Sequence, residues 1–366
     1  MIFRSITTEN FRNLEQGPVE FHPAVNILVG RNGQGKTNLL EAIYFLATTK
    51  SFRTTRAASL FRFGVPNLYV AAAMERNGLT RTHSIGLESA EGRRRVLMIN
   101  GEKVPLPAYL SAASVFAYSQ SRLEILRGAP EERRRFLDRG ISSIAPAYLE
   151  ELTRYMRVLK QRNALLHAIG AGEARGSTLE AWTDEFVDAA EVIHRARAGY
   201  AKELATAFRA IVAVHGYHVA NLEIVYRRSG DDVSLHEHLS RIRRHEIRAR
   251  MSLAGPQRDT VEFLVDGRSA AEVLSGGELK MMVLFLKFAK LELFRARFDE
   301  PPLFLLDDID AELDLEVLQK LLVLLPARTQ VFATSAKESF LHALEAGPHR
   351  RLSIENGRVT TVRDFA

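Results

Sequence analysis

Residues 30–37 read G-R-N-G-Q-G-K-T, a composition and spacing suited to a loop that wraps the phosphates of a nucleotide. Its glycines can adopt positive φ angles that turn backbone N–H groups inward around an anion. Lys36 is expected to reach the β- and γ-phosphates, and the Thr37 hydroxyl to bind Mg²⁺. The alternative is a structural glycine-rich turn. The predicted nucleotide-binding residues are Gly30, Arg31, Asn32, Gly33, Gln34, Gly35, Lys36 and Thr37.

A second candidate is the acidic pair Asp307 and Asp308, which directly follows the apolar run at 303–306. A buried parallel strand carries such acids to the carboxyl edge of its sheet, beside a phosphate loop. We predict that Asp307 is a ligand of Mg²⁺ and that Asp308 orients an attacking water. Lys36, Asp307 and Asp308 are then the predicted catalytic residues. The alternative is an ordinary turn after a strand.

A third candidate is the sequence L-S-G-G-E at 274–278, directly before an apolar segment at 281–294 that predicts a helix. Ser275, Gly276 and Gly277 would place a hydroxyl and backbone N–H groups at that helix N-terminus, which makes a second anion site. A plain helix cap is the alternative. The order of the three sequences along the chain favours the nucleotide-binding interpretation.

The elements around these candidates are those that a phosphate loop needs. Residues 25–29 are a β-prone apolar run, and residues 38–46 have apolar side chains at helical spacing, so the loop should join a strand to a helix. The apolar runs at 303–306 and 330–334 predict buried parallel strands. Further predictions are two strands in 1–24, an antiparallel meander in 68–99, a strand at 115–118, a helix at 315–325 and a terminal hairpin around Asn356-Gly357.

The middle of the chain, from 131 to about 214, is predicted to be helical, with two stretches that repeat apolar residues every three and four positions. This spacing favours an antiparallel helical hairpin about 30 Å long; an ordinary two-helix layer is the alternative. Strands at 222–226 and 261–265 flank a basic helix at 235–251. The stretches are Leu149, Leu152, Met156, Leu159, Asn163 and Leu166, and then Leu179, Trp182, Phe186, Ala189, Ile193, Ala196 and Tyr200.

Composition narrows the function classes further. The chain has no cysteine, which excludes disulfides, thiolate nucleophiles and cysteine-ligated zinc. Its net charge is +6 and arginine far outnumbers lysine, which indicates a polyanionic partner because guanidinium groups match phosphate oxygens in pairs. No apolar run approaches the length of a membrane span, and the N-terminus has the pattern of a strand rather than of a signal peptide. We expect a cytoplasmic protein.

The ordered set of sequences resembles the heads of ATP-binding-cassette proteins, and the resemblance narrows to the bacterial RecF family of recombination-repair proteins. N-F-R-N at 10–13, S-F-R-T at 51–54, the G-x-P-x-x-R-R-R-F-L-D run at 128–138 and G-P-x-R-D at 255–259 carry this narrower similarity, which covers essentially the whole chain. It implies an α/β, ABC-type P-loop ATPase head with a mixed central sheet, an antiparallel meander and an inserted helical hairpin arm. The expected domains are 1–122 and 222–366 for the ATPase lobe and 123–221 for the helical arm.

The same resemblance implies a function. The cofactors would be ATP and Mg²⁺, with Arg12 among the ATP-binding residues, and the signature loop at 275–277 would close over ATP held by a second copy in a head-to-head dimer. The dimer would clamp double-stranded or gapped DNA and hydrolyse ATP slowly, supporting recombinase loading, replication restart and SOS induction. The expected partners are single-stranded, double-stranded and gapped DNA, together with RecR and RecO, which the resemblance alone implies.

Several positions depart from the family pattern. Glu278 stands where glutamine is usual, Gln257 where histidine is usual, and residues 119–122 replace an acidic segment with a basic one. Transporter-type heads have glutamate at the position of Asp308 and a histidine near Ser335. The shorter acid and the missing histidine are typical of a slow switch rather than a motor.

Basic residues on connectors and polar helix faces are candidates for DNA contacts, although solvated faces and intramolecular salt bridges are the alternative. The main competing function is the nucleotide-binding subunit of a membrane transporter, against which the long interval between the phosphate loop and the signature argues. A chromosome-condensing head and a P-loop kinase are further alternatives. The candidate DNA contacts are Arg53, Arg56, Arg133, Arg134, Arg243 and Arg244.

Overall fold

The structure is a computed structural model of the 366-residue chain. It describes residues 1–54, 56–76, 78–88, 94–118, 124–174, 176–215, 221–230, 233–298, 301–308, 329–335 and 347–365, together with residues 319 and 325. The predicted helix at 315–325 lies outside the described residues except at 319 and 325. The departure at 119–122 lies outside them entirely.

The described strands and helices fall into three consecutive segments of the chain. The first group is β1 (Ile2–Glu9), β2 (Gly17–Glu20), β3 (Val25–Val29), α1 (Lys36–Thr48), β4 (Asn67–Arg76), β5 (Leu79–Glu88), β6 (Arg94–Ile99), β7 (Glu102–Lys103), α2 (Leu106–Ser111) and β8 (Val115–Tyr118). The second is α3 (Glu124–Arg127), α4 (Pro130–Ile144), α5 (Ala147–Gly170), α6 (Leu179–His215), β9 (Leu222–Arg227), α7 (Leu235–Ala249), β10 (Thr260–Val265), β11 (Arg268–Ser269), α8 (Ala270–Val273) and α9 (Gly276–Arg297). The third is β12 (Leu303–Leu306), β13 (Val331–Thr334), β14 (His349–Glu355) and β15 (Arg358–Phe365).

The chain divides into two compact units. Unit 1 comprises Met1–Arg122 and Phe294–Ala366, and unit 2 comprises Leu123–Leu293. The sequence-based prediction places the return to the ATPase lobe at residue 222, whereas this division groups the segment from 222 to 293 with the helices. Strand β9 lies against α6, and α7 lies against α5 and α6, so that the apolar side chains of Leu222 and Leu239 are buried inside unit 2.

Unit 1 contains a mainly parallel sheet with the strand order β15-β14-β3-β13-β12-β8. All neighbouring pairs are parallel except β14 with β15. Every residue of β12 and β13 is buried, as the unbroken apolar runs predict. Because β3 and β12 are parallel and separated only by β13, their carboxyl ends reach the same edge of the sheet.

The second sheet of unit 1 is antiparallel, with the order β2-β1-β4-β5-β6-β7, and it confirms the predicted meander. Helix α1 packs against β4 and β5 of this sheet and against β8 and β13 of the other. Apolar side chains therefore cover most of its circumference, among them Leu40, Ile43 and Phe45. A helix buried on all sides is held rigidly, and the phosphate-loop sequence leads directly into its first turn.

Unit 2 contains the predicted helical hairpin, formed by α5 and α6, which pack along each other. The stretch in α6 is confirmed, since Leu179, Phe186, Ile193 and Tyr200 are all buried. In α5 the expected stripe is partly wrong, because Met156 is 53% exposed. Tyr155, Val158 and Arg162 are buried instead, so a polar group occupies the interface that the spacing assigns to apolar residues. Helix α6 has 37 residues, about 55 Å, and exceeds the expected length.

Candidate nucleotide-binding site

The loop between β3 and α1 has the backbone geometry that its glycines require. Gly30, Gly33 and Gly35 have φ angles of 149°, 81° and 113°. A Cβ atom at Gly30 would lie 2.3 Å from the carbonyl oxygen of Ile354 on β14, so only glycine fits there. The loop is also held from the terminal hairpin, because the N–H of Gly357 donates to the Gln34 carbonyl at 2.7 Å.

The Lys36 side chain folds back over this loop. Its residue is only 4% exposed, and Nζ donates to the carbonyl oxygens of Gly30 at 2.5 Å and Arg31 at 3.2 Å. The ammonium group therefore lies inside the loop. Both of its acceptors are neutral carbonyls, so it remains available to a phosphate anion, which is the role that the sequence predicts.

The sheet edge brings Thr37 and Asp307 together, although they are 270 positions apart in the chain. The Thr37 hydroxyl donates to Asp307 Oδ1 at 2.9 Å. Thr334, at the end of β13, accepts from the N–H of Asp308 at 2.8 Å and lies 3.0 Å from Asp307 Oδ1. The predicted pairing of Thr37 with Asp307 is thus present in the structure, and Thr334 is a neighbour that the sequence did not indicate.

Burial, and to a smaller extent the adjacent Asp308, raises the pKa of Asp307 to about 6, although the hydroxyls of Thr37 and Thr334 act in the opposite direction. A carboxylate with a raised pKa has unused capacity for a cation. One hydroxyl and one carboxylate are hard oxygen donors that suit Mg²⁺, which commonly completes its shell with waters and substrate phosphates. Within the described ranges, no three His, Cys, Asp or Glu side chains form a metal cage.

Asp308 differs from Asp307 in conformation. Its φ angle is 47°, in the left-handed region, and its carboxylate Oδ1 lies 3.4 Å from Thr334 Oγ1. Because this backbone conformation is uncommon for residues other than glycine, the surrounding structure must hold it. Asp307 is buried and Asp308 is half-buried, so the second carboxylate is the more accessible of the two.

Glu41 is a residue of this site that sequence reasoning missed. It lies one helical turn after Thr37 on α1 and is 0% exposed. Arg12 donates to both of its carboxylate oxygens, with Nη2 at 2.9 Å from Oε1, and the Ser51 hydroxyl donates to it as well. The available signal was a single carboxylate among the apolar residues of a buried helix, since a buried charge requires partners.

This pairing determines where two predicted residues lie. Arg12 has a φ angle of 48°, and its guanidinium lies on Glu41 beside the phosphate-loop helix. Arg53, a candidate DNA contact, donates to Asn38 Oδ1 at 2.7 Å and lies 3.6 Å from Glu41. Arg53 therefore belongs to the surroundings of the nucleotide site in unit 1.

The signature sequence begins helix α9 in unit 2. Ser275 accepts from the N–H of Glu278 at 3.3 Å, and the Glu278 carboxylate accepts from the N–H of Ser275 at 2.7 Å. This reciprocal arrangement is a capping box, which glutamine and glutamate form equally well, so the departure at Glu278 preserves the cap. Gly276 and Gly277 are exposed at the start of a 22-residue helix.

The remaining candidate DNA contacts differ in how they are held. Arg133 donates to the Gly128 carbonyl at 2.8 Å, and Arg134 donates to the Asp259 carbonyl at 2.7 Å. Burial lowers the pKa of Arg134, so this guanidinium serves the interior of unit 2. Arg243 forms an ion pair with Glu180 at 3.3 Å, whereas Arg56 and Arg244 are exposed.

Parallel strands that carry a phosphate loop and a pair of aspartates to one sheet edge, next to an antiparallel meander, define the class of ABC-type P-loop ATPase heads. The family described as RecF/RecN/SMC N terminal domain matches residues 2–356. The chain belongs to the RecF family.

Individual relatives support this assignment. The chain is 32% identical over 370 residues to the DNA replication and repair protein RecF of Geotalea daltonii, covering 98% of this chain and all of the relative. It is 36% identical to the RecF protein of Symbiobacterium thermophilum, with 95% of each chain covered. A solved structure of a recombination mediator protein RecF with ATP, in the RecFOR pathway, superimposes with a TM-score of 0.88 at 27% identity, covering 100% of this chain and 98% of the other. The predicted fold class is therefore confirmed.

Among the residues that the structure covers, no helix is both long enough and apolar enough to span a bilayer. The family found is the one that the sequence resembles, and not that of transporter subunits.

Proposed function

We propose that this protein is an ATP-dependent DNA-binding protein of recombinational repair, and that residues 30–37 bind ATP with Mg²⁺. The observation that carries the proposal is the hydrogen bond from Thr37 to Asp307, next to a lysine that lies inside the phosphate loop. These groups are a cation for the phosphates, a hydroxyl for the metal and a carboxylate for the metal shell. The relative solved with ATP has the same fold.

Each residue has a role in the proposed chemistry. Lys36 stabilises the negative charge of the β- and γ-phosphates, and Thr37 and Asp307 hold Mg²⁺. Asp308, which is more exposed than Asp307, orients the attacking water. An aspartate is shorter than the glutamate of transporter-type heads, so hydrolysis is slow and the nucleotide acts as a switch.

The signature loop completes the site in a dimer. Ser275, Gly276 and Gly277 present a hydroxyl and backbone N–H groups at the N-terminus of α9, a position that favours an anion. In our proposal they close over the γ-phosphate of ATP bound by a second copy, so that two copies enclose two nucleotides. ATP then drives dimerisation, and hydrolysis ends it.

DNA is the proposed partner of the dimer. The net charge of +6 and the excess of arginine support a polyanionic ligand, and the relatives are named DNA replication and repair proteins. The dimer clamps double-stranded or gapped DNA in the cytoplasm and supports recombinase loading, replication restart and SOS induction. RecR and RecO are further proposed partners, consistent with the RecFOR pathway named for the solved relative.

Two variants test the nucleotide part of the proposal. Lys36→Met removes the cation inside the loop and should weaken ATP binding by about 100-fold or more, while the melting temperature stays near that of the wild type. Lys103→Met, at an exposed position, is the matched control. Equilibrium binding of a fluorescent ATP analogue measures both, and an unchanged affinity of Lys36→Met would refute the site.

Asp308→Asn tests the dimer, because it should bind ATP and Mg²⁺ without hydrolysing the nucleotide. Its mass in solution should double when ATP and Mg²⁺ are added, and labelled duplex DNA should then bind more tightly than without ATP. A variant that remains monomeric at concentrations where ATP is bound would show that the sandwich model is wrong.

A further inference from the structure

The arginines of helix α7 fall into two groups. Arg241 and Arg243 are ion-paired, with Glu237 at 2.5 Å and with Glu180 at 3.3 Å respectively. Farther along, the side chains are exposed and form no salt bridge with any described residue. These are Arg244, Arg248 and Arg250, together with Arg258 on the loop that follows the helix.

Arg258 ends a tight turn whose backbone has little freedom. Its N–H donates to the Gly255 carbonyl at 2.7 Å, which closes a turn with Pro256 as the second residue. Gly255 has a φ angle of 115°, and a Cβ atom there would lie 2.6 Å from the Phe186 ring. The turn therefore requires glycine both for its conformation and for its packing.

Three helices hold the residues on either side of Arg258. Arg197 of α6 donates to the Pro256 carbonyl at 2.7 Å, and Tyr155 of α5 donates to the Gln257 side chain. Arg134 of α4 donates to the Asp259 carbonyl at 2.7 Å. Residues 254–259, which we call the anchored loop, are consequently fixed from several directions.

The Asp259 side chain adds further restraint on the same loop. Its carboxylate lies 3.1 Å from His194 Nε2 and accepts from the N–H of Ser229 at 2.8 Å and from the Tyr226 hydroxyl. Asp259 is fully buried, yet the next residue toward the N-terminus, Arg258, is exposed. A buried polar network of this size specifies one arrangement of the chain, so the backbone from which the exposed Arg258 side chain extends is held in place.

Arg258 lies next to the end of α7. Its Nη2 is 3.3 Å from the sulfur of Met251, the residue that follows Arg250. Arg244 and Arg248 are one helical turn apart, with Arg248 Nε 3.4 Å from the Arg244 carbonyl. We call Arg244, Arg248, Arg250 and Arg258 the arginine surface.

We propose that the arginine surface binds the phosphates of duplex DNA, with Arg258 as the fixed contact that sets the position of the backbone. The inference rests on the proposed function, in which DNA is the partner. Guanidinium groups match phosphate oxygens in pairs, and exposed arginines without carboxylate partners keep that capacity. Met251, which is 43% exposed, is the apolar side chain in contact with Arg258. Four exposed arginines beside one methionine lack the broad apolar centre of a protein interface.

The test measures binding of a labelled DNA duplex of about 30 base pairs to the full-length protein across a salt series. Arg258→Ala should bind about tenfold more weakly, and the slope of log affinity against log salt should fall by about 0.9, because one phosphate contact is lost. The triple variant of Arg244, Arg248 and Arg250 to Ala should lower the slope by about 2 to 3. Arg258→Lys keeps the positive charge but cannot donate two parallel hydrogen bonds to one phosphate. It should therefore have the salt slope of the wild type and still bind DNA more weakly.

The matched control is Arg241→Ala, which removes the same charge from the same helix at an ion-paired position. Its affinity should change by less than about twofold. Melting temperature and ATP affinity, measured for every variant, verify that the fold and the nucleotide site are intact.

The outcomes separate this inference from the proposed function. If the wild type does not bind duplex DNA in any nucleotide state, the proposed function fails, and the inference fails with it. If the wild type binds DNA and the Arg258 and triple variants bind with the same affinity and salt slope, only the inference is overturned.

Discussion

The nucleotide site of unit 1 and the polar interior of unit 2 both contain buried charges, but they satisfy them differently. In unit 2, Arg162 donates to both carboxylate oxygens of Glu246, at 3.1 and 2.6 Å, and to the Ser252 hydroxyl at 2.7 Å. In unit 1, the side-chain donors to Asp307 among the described residues are neutral hydroxyls, and burial raises its pKa to about 6. The first arrangement is complete within the protein, whereas the second has capacity for a cation.

This difference explains what each network does. A buried ion pair with all its hydrogen bonds made holds neighbouring elements in one arrangement, and it requires no ligand. A buried carboxylate without a cation destabilises the folded state until one binds. The Arg162–Glu246 pair of unit 2 is therefore structural, whereas Asp307 of unit 1 keeps capacity for a cation.

Removing one member of the buried pair should have the largest effect. Glu246→Ala leaves Arg162 buried without its carboxylate and should lower the free energy of unfolding by about 3 to 5 kcal/mol. Urea unfolding measures this value. Glu131→Ala breaks an exposed pair with Arg135 and should cost less than about 1 kcal/mol. Equal losses in the two variants would contradict a structural role for the buried pair.

Titration of Asp307 should change the free energy of unfolding by somewhat less than Glu246→Ala does. Its pKa rises from an ordinary value of 3.8 to about 6 in the folded protein, so the folded state holds its proton more tightly than the unfolded state. The resulting stabilisation is present below about pH 4 and is lost as the pH rises through 6. The total is about 2 to 3 kcal/mol.

The variant Asp307→Asn cannot titrate and should lack this pH dependence. Without nucleotide, the unfolding free energy of the wild type should therefore fall relative to that of Asp307→Asn between pH 4 and pH 7. Asp266→Asn, at an exposed position, is the control. If the wild type and Asp307→Asn have parallel pH profiles, Asp307 is not a strained carboxylate, and the contrast with unit 2 disappears.

The smallest change in stability should come from loss of a helix cap. Here a serine that only caps a helix can be compared with a serine that caps a helix and is also proposed to bind nucleotide. Ser234 caps α7 and Ser275 caps α9, each by accepting from the N–H of a glutamate three residues later. Either serine replaced by alanine should cost about 1 kcal/mol. Only Ser275→Ala should also abolish the increase in mass with ATP and Mg²⁺. If both variants dimerise normally, Ser275 is a cap and nothing more.

Much of the site could be predicted because it is encoded locally. The glycines at 30, 33 and 35 and the lysine and threonine that follow are one continuous sequence, and their flanking strand and helix have clear periodicities. The run at 303–306 was recognisable as a buried parallel strand because it has no polar position. The pairing of Thr37 with Asp307 followed from the rule that parallel strands end at one sheet edge.

Other features depend on partners far away in the chain. Glu41 is ordinary in sequence, and only folding brings Arg12 and Ser51 onto it. The buried side of α5 differs from the predicted stripe because Arg162 on that side pairs with Glu246, which lies 84 positions later in the chain. An ion pair can therefore occupy an interface that the spacing assigns to an apolar side chain. Arg133 and Arg134 have the composition of a DNA contact, yet their hydrogen bonds hold the interior of unit 2.

The sequence alone determined the class of fold, the phosphate loop, the paired aspartates and the helix start at Ser275, since each is a contiguous pattern governed by local backbone geometry. Only the tertiary structure decided which charges are used internally and which remain available, including the division of the arginines of α7 into paired and unpaired groups. The physical reason is that the energy of a charge depends on its burial and on its nearest opposite charge, and both are set by the fold.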